Sequence, residues 1–553
     1  MANRHLAHWP EGLPPGVGIP ATDLFYNVEV SARRYPGKPY IIFYDTPISF
    51  SRFKQEAEWL AGWLEKQGVK RGDRVLLYMQ NSPQFAIAYY AILRANAVVV
   101  PVNPMNMTAE LRHCVQDSGA RVALVAQDLY VQARPLLGAE LEHILLVCYN
   151  DFVEEPTTLN VPDFVRAPRL AIDDVGATPW HAAMAQQLSP GPLTVGPDDL
   201  CVMPYTSGTT GQPKGCMHTH RSVMHTLLTS YQWFGAHQDA VHLAVLPLFH
   251  VTGMQGSMNG PMHAGCTVVL LPRWDRDVAA QCIERYRISS WTAIPTMLVN
   301  FLANPALKRF NLDSLCRLVG GGAAMPESVA QELLDRGIRY VEGYGLSETM
   351  GPSHINPPRR IKKQCLGIPV FDTHSIVVDP QSLQQLPAGE VGEILTRGPQ
   401  VFQGYWGNPA DTAEAFVETE GQRWFRTGDL ARVDDDGYFF MVDRLKRMVN
   451  ASGFKVWPAE VEALMYQHPA IQEACVIPAK DAKRGETVKA IIVLKPAYLG
   501  QVSEQEIIDW AHGIMAAYKS PRIVEFAETL PKSATGKILW RQLLEREATR
   551  SAL

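Results

Sequence analysis

No two cysteines stand in C-x-x-C spacing. The nine that occur, at positions 114, 148, 201, 216, 266, 282, 316, 365 and 475, are scattered singly. An odd, unpatterned set of this kind fits reduced thiols in a cytoplasmic protein and argues against a disulfide framework. There is no basic tract either: 51 lysines and arginines stand against 56 aspartates and glutamates, a net charge of -5. Nucleic acid is therefore not an expected partner. The first ten residues lack the apolar core that a signal peptide needs. The longest apolar stretch, residues 85–102, is interrupted by Arg94, Asn96 and Pro101. It reads as a buried helix followed by a buried strand and not as a membrane span, which leaves peripheral membrane attachment open. Low-complexity tracts are absent, as is any internal repeat with a period of about 20 to 50 residues.

What is present is an α/β pattern. At 553 residues the chain exceeds one ordinary core, and about two to four domains are expected. After a surface segment rich in proline and glycine, strands are expected at 40–44, 75–79, 98–102, 121–125 and 144–147, with helices at 51–66, 83–94 and 108–116 among them. Such alternation makes a parallel sheet covered by helices. Residues 150–198 read as a long connection. The alternation then resumes with strands at 241–246, 267–271, 290–294, 317–320 and 339–342, giving a second parallel-sheet lobe of similar size. Short strands at 375–378, 392–395 and 438–442 suggest a small β unit, and the last hundred residues a small α+β domain.

The chain is organised around the loop Tyr205-Thr206-Ser207-Gly208-Thr209-Thr210-Gly211-Gln212-Pro213-Lys214-Gly215. Glycines let backbone N–H groups converge on an anion, hydroxyls add neutral donors, and Lys214 supplies a positive charge. The spacing is not that of a Walker A loop. A flexible surface linker is the competing reading. An amphipathic helix carrying Val223, Leu227 and Tyr231 follows, its N-terminus expected to point back at the loop.

Other clusters keep this loop company. Gly343-Tyr344-Gly345-Leu346-Ser347-Glu348-Thr349 nearly matches a dinucleotide fingerprint but has Glu348 where the last glycine is needed. A carboxylate at a strand end facing a phosphate loop is instead placed to ligate Mg²⁺, unless it is a solvated turn residue. Gly320-Gly321-Gly322 leaves a strand end bare for a flat ring, or for close packing. Asp429, in Thr427-Gly428-Asp429, suits a ribose diol or a turn. Lys537, in Ser533-Ala534-Thr535-Gly536-Lys537, could swing into a distant site as a charge, or lie in a solvated tail.

Taken together and in this order, with Asp443-Arg444-Leu445-Lys446 between the last two, these motifs strongly resemble the adenylate-forming superfamily of acyl-CoA synthetases, luciferases and peptide-synthetase adenylation domains. The resemblance runs over nearly the whole chain, from about residue 24 to residue 544. It implies a large domain over residues 1–444 and a small mobile domain over 445–553, with a hinge at Lys446. It also implies ATP, Mg²⁺ and coenzyme A as cofactor and co-substrates. Thr206, Ser207, Gly208, Thr209, Thr210, Gly211 and Lys214 would embrace the ATP phosphates, Thr206 also counting among the catalytic residues. Glu348 would bind Mg²⁺, and Ser347 would touch the phosphate that becomes AMP. Tyr344 and Gly345 would place adenine against Gly320, Gly321 and Gly322, while Asp429 and Arg444 hold the ribose. Lys537 would bridge the carboxylate and the α-phosphate. After domain rotation, Gly453, Phe454 and Lys455 would line a CoA tunnel. His250 matches a position beside the acyl carboxylate, and Gly322 would also line the acyl pocket.

Past His250, Met254, Met258 and Met262 recur every four residues with Gly256 and Gly260 on another face. They line an alkyl groove or form ordinary core. Two departures from the family pattern, Asn450 for a lysine and Gln364-Cys365 for Gly-Ser, bear on the acceptor and the acyl chain. The expected enzyme is a cytoplasmic acyl-CoA synthetase for a medium- or long-chain fatty acid, with a homodimer as a candidate assembly. The alternatives are an aryl or short branched acid ligase, an acyl-AMP ligase loading a carrier protein, and a non-catalytic nucleotide binder.

Overall fold

A computed structural model describes residues 4–206, 212–321, 325–419, 421–451, 454–481, 485–533 and 538–550; for Lys446, Asn450, Phe454, Lys455 and Gly485 it describes the backbone alone. The chain divides into two units, one of residues 1–374 with 396–425 and the other of residues 375–395 with 426–553.

In the first unit the helix Pro83–Arg94 shows how local sequence sets an element. The Ser82 side chain accepts a hydrogen bond from the Phe85 N–H, proline follows at the first helical position, and the helix ends before Asn96 at a φ of 60°. Apolar on every side, it is buried from Pro83 to Leu93. That burial is why residues 85–102 read as greasy without being a membrane span. Among the described residues no helix is long and apolar enough to cross a membrane.

Two large sheets dominate this unit. Among the described residues the first has seven strands, in the order His218–Thr219, Leu200–Val202, Val98–Pro101, Arg74–Tyr78, Val122–Ala126, His143–Val147 and Ala177–Pro179. All its pairings are parallel except the one that adds His218–Thr219 at the edge. The second has nine, in the order Ile368–Pro369, Gly351–Ile355, Arg339–Leu346, Arg317–Gly321, Ser290–Thr292, Val241–Ala244, Thr267–Leu270, Pro39–Phe43 and Thr46–Ser49. Its interior is parallel and its edges antiparallel. The parallel strands read as unbroken apolar runs because helices cover both faces; Val98–Pro101 and Thr267–Leu270 are buried throughout.

Sheet membership departs from chain order in two places. The strand expected to open the first lobe, Pro39–Phe43, pairs with Thr267–Leu270 of the second sheet, Ile41 opposite Val268. Residues 150–198 are also more than a connection, since Ala177–Pro179 adds an edge strand beside His143–Val147. Both outcomes depend on pairing between distant strands, which periodicity within a segment does not encode.

In the second unit, Phe454–Val456, Val449–Ala451, Gly485–Leu494 and Ile471–Asp481 pair antiparallel, and Ile523–Phe526 adds a parallel strand. The helices Pro458–Met465 and Glu504–Ile514 close its core through Val461, Met465, Ile507 and Ala511.

Candidate active site

The flanks of the glycine-rich loop form a two-stranded ribbon in which Tyr205–Thr206 lies antiparallel to Lys214–Gly215 and Lys214 stands opposite Thr206. Ser207, Gly208, Thr209, Thr210 and Gly211 lie outside the described residues. Several contacts tie the ribbon down. The Tyr205 hydroxyl donates to Asp117 at 2.6 Å, His113 Nε2 lies 2.8 Å from the Pro213 carbonyl, and the Trp406 N–H donates to the Gly215 carbonyl at 2.8 Å. Cys216 makes an antiparallel bridge with Tyr405. The loop is thus built on three chain segments, the third being residues 402–406.

The helix after the loop, His220–Trp233, differs from expectation. Two short strands, Lys214–Gly215 and His218–Thr219, separate the loop from its start. Its first N–H groups already have protein acceptors: His220 donates to the Asp199 carbonyl, Arg221 to the Pro197 carbonyl and Ser222 to Thr219 Oγ1. With those donors taken, this helix end offers no anion site. The helix is also less amphipathic than expected, because His220, His225, Thr226 and Thr229 are buried along with Val223 and Leu227.

Glu348 follows the strand Arg339–Leu346 in the turn Ser347–Thr349, whose backbone is held from three directions. His218 Nε2 donates to the Ser347 carbonyl at 2.7 Å, the Phe402 N–H to the Glu348 carbonyl at 2.8 Å, and the Leu346 N–H to Thr349 Oγ1 at 2.9 Å. The Tyr405 hydroxyl donates to Glu348 Oε1 at 2.9 Å. Lys214 makes an ion pair with Asp411 and lies 5.2 Å from the centre of the Tyr405 ring. The structure therefore joins the loop lysine to the glutamate turn through one tyrosine.

Burial sets the protonation of this cluster. Burial holds His218 down at about 4, so its imidazole is neutral and able to donate from Nε2. Burial, with the Glu348 carboxylate, raises the Tyr405 phenol far above its ordinary range and keeps it a donor. The Cys216 thiol is raised for the same two reasons.

A single half-buried carboxylate beside a hydroxyl-bearing loop fits Mg²⁺, which keeps several waters and uses substrate phosphates as ligands. It does not fit an ion held by protein alone: among the described residues no group of three or more His, Cys, Asp or Glu side chains could hold one.

Gly320 and Gly321 end the strand Arg317–Gly321 for a local reason. A Cβ on Gly320 would overlap the Ala293 carbonyl, and one on Gly321 the Gly343 carbonyl. Strand-to-strand crowding thus demands glycine there whatever binds above it. Tyr344 is half-buried opposite His354, their rings 5.5 Å apart, and Gly345 lies opposite Pro352. Gly322 lies outside the described residues.

His250 caps the helix Val251–Met254, its Nδ1 accepting from the Thr252 N–H at 3.3 Å. The loop before it is held by Asn81, which donates to the Leu246 carbonyl and accepts from the Leu248 N–H. The helix continues through a π turn, Gln255–Asn259, into Gly260–Ala264. Met254, Met258 and Met262 are all buried, and a Cβ on Gly256 would sit 2.9 Å from Thr292 Oγ1. Burial of the three methionines accords with both readings, an enclosed groove lining and core.

In the second unit Asp429 and Arg444 face each other across antiparallel strands and form an ion pair at 3.0 Å. Asp429 is 1% exposed and Arg444 42%. Asp429 lies within the strand Gln422–Val433 just past Gly428, whose φ is 67°. The buried Glu393 shapes this approach, accepting from the Gly428 N–H and pairing with Arg426. Arg447, the residue after Lys446, is turned inward. It is 13% exposed, paired with Glu462, and donates to the Val476 carbonyl at 3.2 Å. Lys446 lies in the turn Leu445–Arg447. Gly453 and Lys537 fall outside the described residues, and of Phe454 and Lys455 only the backbone, in a strand, is described.

Sequence reasoning missed His218, Glu393, Tyr405 and Asp411. All but His218 lie far from the loop in sequence, and none sits in a motif of its own; the tyrosine in Gly404-Tyr405-Trp406 was the one detectable signal.

With this geometry established, comparison with known proteins is direct. Residues 28–406 match the model of the AMP-binding enzyme family and residues 460–537 that of the AMP-binding enzyme C-terminal domain. The chain is 33% identical to a long-chain-fatty-acid–CoA ligase of Bacillus subtilis (strain 168), covering 98% of each chain. It is 32% identical to a feruloyl-CoA synthase of Amycolatopsis sp, over 93% of this chain and 97% of that one. Among solved structures, the anthranilate CoA ligase AuaEII in complex with anthranoyl-AMP superposes with a TM-score of 0.81 at 27% identity, over 98% of this chain and 99% of that one. The chain belongs to the AMP-binding enzyme family, the ATP-binding, adenylate-forming acyl-CoA synthetases, and is an AMP-forming acid–CoA ligase.

Proposed function

We propose that the acid is a medium- or long-chain fatty acid, activated as acyl-AMP with release of pyrophosphate and then transferred to CoA with release of AMP. The observation that carries this reading is the end-to-end similarity to a long-chain-fatty-acid–CoA ligase. Two anions must meet in the first half-reaction, so charge screening and in-line positioning matter more than acid–base chemistry. Thr206, the loop 207–211 and Lys214 bind the phosphates; Tyr344 and Gly345 with Gly320–Gly322 take adenine; Asp429 and Arg444 take the ribose; His250 lies near the carboxylate. Glu348 holds Mg²⁺, which when bound neutralises phosphate charge. Lys537 bridges carboxylate and α-phosphate. Lys446 is the hinge between residues 1–444 and 445–553, and Gly453, Phe454 and Lys455 line the CoA path after rotation. The setting is cytoplasmic, with a homodimer as a candidate assembly.

An aryl acid is the second reading. It is favoured by the 32% identity to a feruloyl-CoA synthase over 93% of this chain. Pyrophosphate release across acids from acetate through palmitate to benzoate and cinnamate, with and without CoA, tests both. A maximum at one alkyl length that requires CoA supports the first reading, and turnover with aromatic acids alone replaces it by the second.

A further inference from the structure

The helix Pro409–Ala415 brings a carboxylate to the phosphate loop that the reaction does not require. Asp411, in its first turn, pairs with Lys214, and both are largely shielded, with side-chain exposures of 22% and 13%. Asp411 is itself fixed: its N–H donates to Asn408 Oδ1 at 3.0 Å, and Asn408 Nδ2 donates back to Asp411 Oδ2 at 2.8 Å. Lys214 also lies over the Tyr405 ring, whose hydroxyl reaches Glu348. One lysine, one carboxylate, one aromatic ring and the candidate metal ligand therefore form a connected set within a single unit.

We propose that Asp411 and Tyr405 are positioning residues of the phosphate site. Asp411 holds Lys214 at the loop until a polyphosphate displaces it, and Tyr405 orients the Glu348 carboxylate. The inference rests on the ATP-site assignment of Lys214 and Glu348. Its physical basis is competition. A partly shielded ammonium bonded to one carboxylate gains little by exchanging it for a single anionic charge. It gains more from several phosphate charges at once. Asp411 thus lowers affinity for ATP while leaving the nucleoside part of the molecule untouched, which narrows the preference for polyphosphate over adenosine. The Tyr405 ring supports the ammonium from below, and its hydroxyl spends its one proton on Glu348.

The test is calorimetric titration of the full chain with ATP and with adenosine, first in EDTA and then across a Mg²⁺ series. Asp411→Asn, which keeps an acceptor for Asn408, is expected to tighten ATP binding in EDTA about 3- to 10-fold and to leave adenosine unchanged. Asp411→Glu is expected to restore the native ratio, and in a Lys214→Met background Asp411→Asn is expected to do nothing. Tyr405→Phe keeps the ring, so ATP affinity in EDTA is expected to stay, while the Mg²⁺ needed for half-maximal ATP binding rises about 3- to 10-fold. Equal changes for ATP and adenosine in Asp411→Asn, or an unchanged Mg²⁺ requirement in Tyr405→Phe, would overturn the inference while leaving the ATP site in place. A native chain that binds no ATP would overturn the site assignment and the inference together.

Discussion

The charged cluster beside the phosphate loop and the one beside Lys446 use the same residue types for opposite ends. In the first unit, Lys214 is held by the Asp411 carboxylate and Glu348 by the Tyr405 hydroxyl. Such side-chain pairs can be exchanged for a ligand. In the second unit the carboxylates hold backbone. Glu462 accepts from the Val476 N–H and Asp443 from the Ala459 N–H, each at 2.7 Å, and Arg447 lies between them. Breaking that set would strand buried charge and free a helix start and a strand. Asp443 and Arg447, on either side of Lys446, are therefore both anchored within the second unit.

Acid offers the largest expected break in the comparison. His218, His220 and His242 of the first unit are each held near 4 by burial, against an ordinary 6.5. The unfolded chain then binds more protons than the folded one between those values, so stability falls as pH drops from about 6.5 to about 4, by up to about 3 kcal/mol per histidine. Burial instead raises Asp443 and Glu462 of the second unit, so acidification of those groups favours the folded form. Hydrogen exchange at pH 7, 5.5 and 4.5 is expected to show the strand Val241–Ala244 losing protection before Ile471–Asp481; the reverse order would refute the contrast.

Substitutions sharpen it. Arg447→Ala, by stranding Glu462 and Asp443, is expected to cost about 3–5 kcal/mol in urea unfolding of the second unit. Lys214→Ala, at a side-chain pair, is expected to cost about 1 kcal/mol or less in stability while weakening ATP binding. Equal stability losses would erase the distinction between anchoring and exchangeable pairs. For the lysines of the small domain, Lys537→Ala is expected to lower acyl-AMP formation by about 10²–10³-fold while sparing thioester formation from supplied acyl-AMP. Lys446→Pro is expected to do the reverse, because a locked hinge blocks the second conformation. Similar damage to both half-reactions in both variants would end the two-conformation reading. The smallest effect is at the ribose pair, where Asp429→Asn is expected to raise the KM for ATP about tenfold with little change in kcat. A fall in kcat with constant KM would move Asp429 out of ground-state nucleotide binding.

Some features were legible in the sequence because their causes are local. The cap and apolar run of Pro83–Arg94 set that helix, and the density of glycine and hydroxyl residues marked the phosphate loop. Glu348 stood out because a glutamate broke a glycine fingerprint at a strand end, and the order of the motifs pointed to the family before any coordinates. Other features only the tertiary structure decided. Pro39–Phe43 left the lobe its position suggested to pair with Thr267–Leu270, because strand partners are chosen across the chain by shared burial. The donors of His220–Trp233 went to Pro197 and Asp199, the methionines after His250 were buried, and Arg447 went inside. Tyr405 and Asp411 reached the loop lysine and Glu348 only when residues 402–406 came to lie beside residues 215–217. A side chain's partner is a fact of three-dimensional proximity, and sequence spacing reports proximity only within a turn of helix or across a short hairpin.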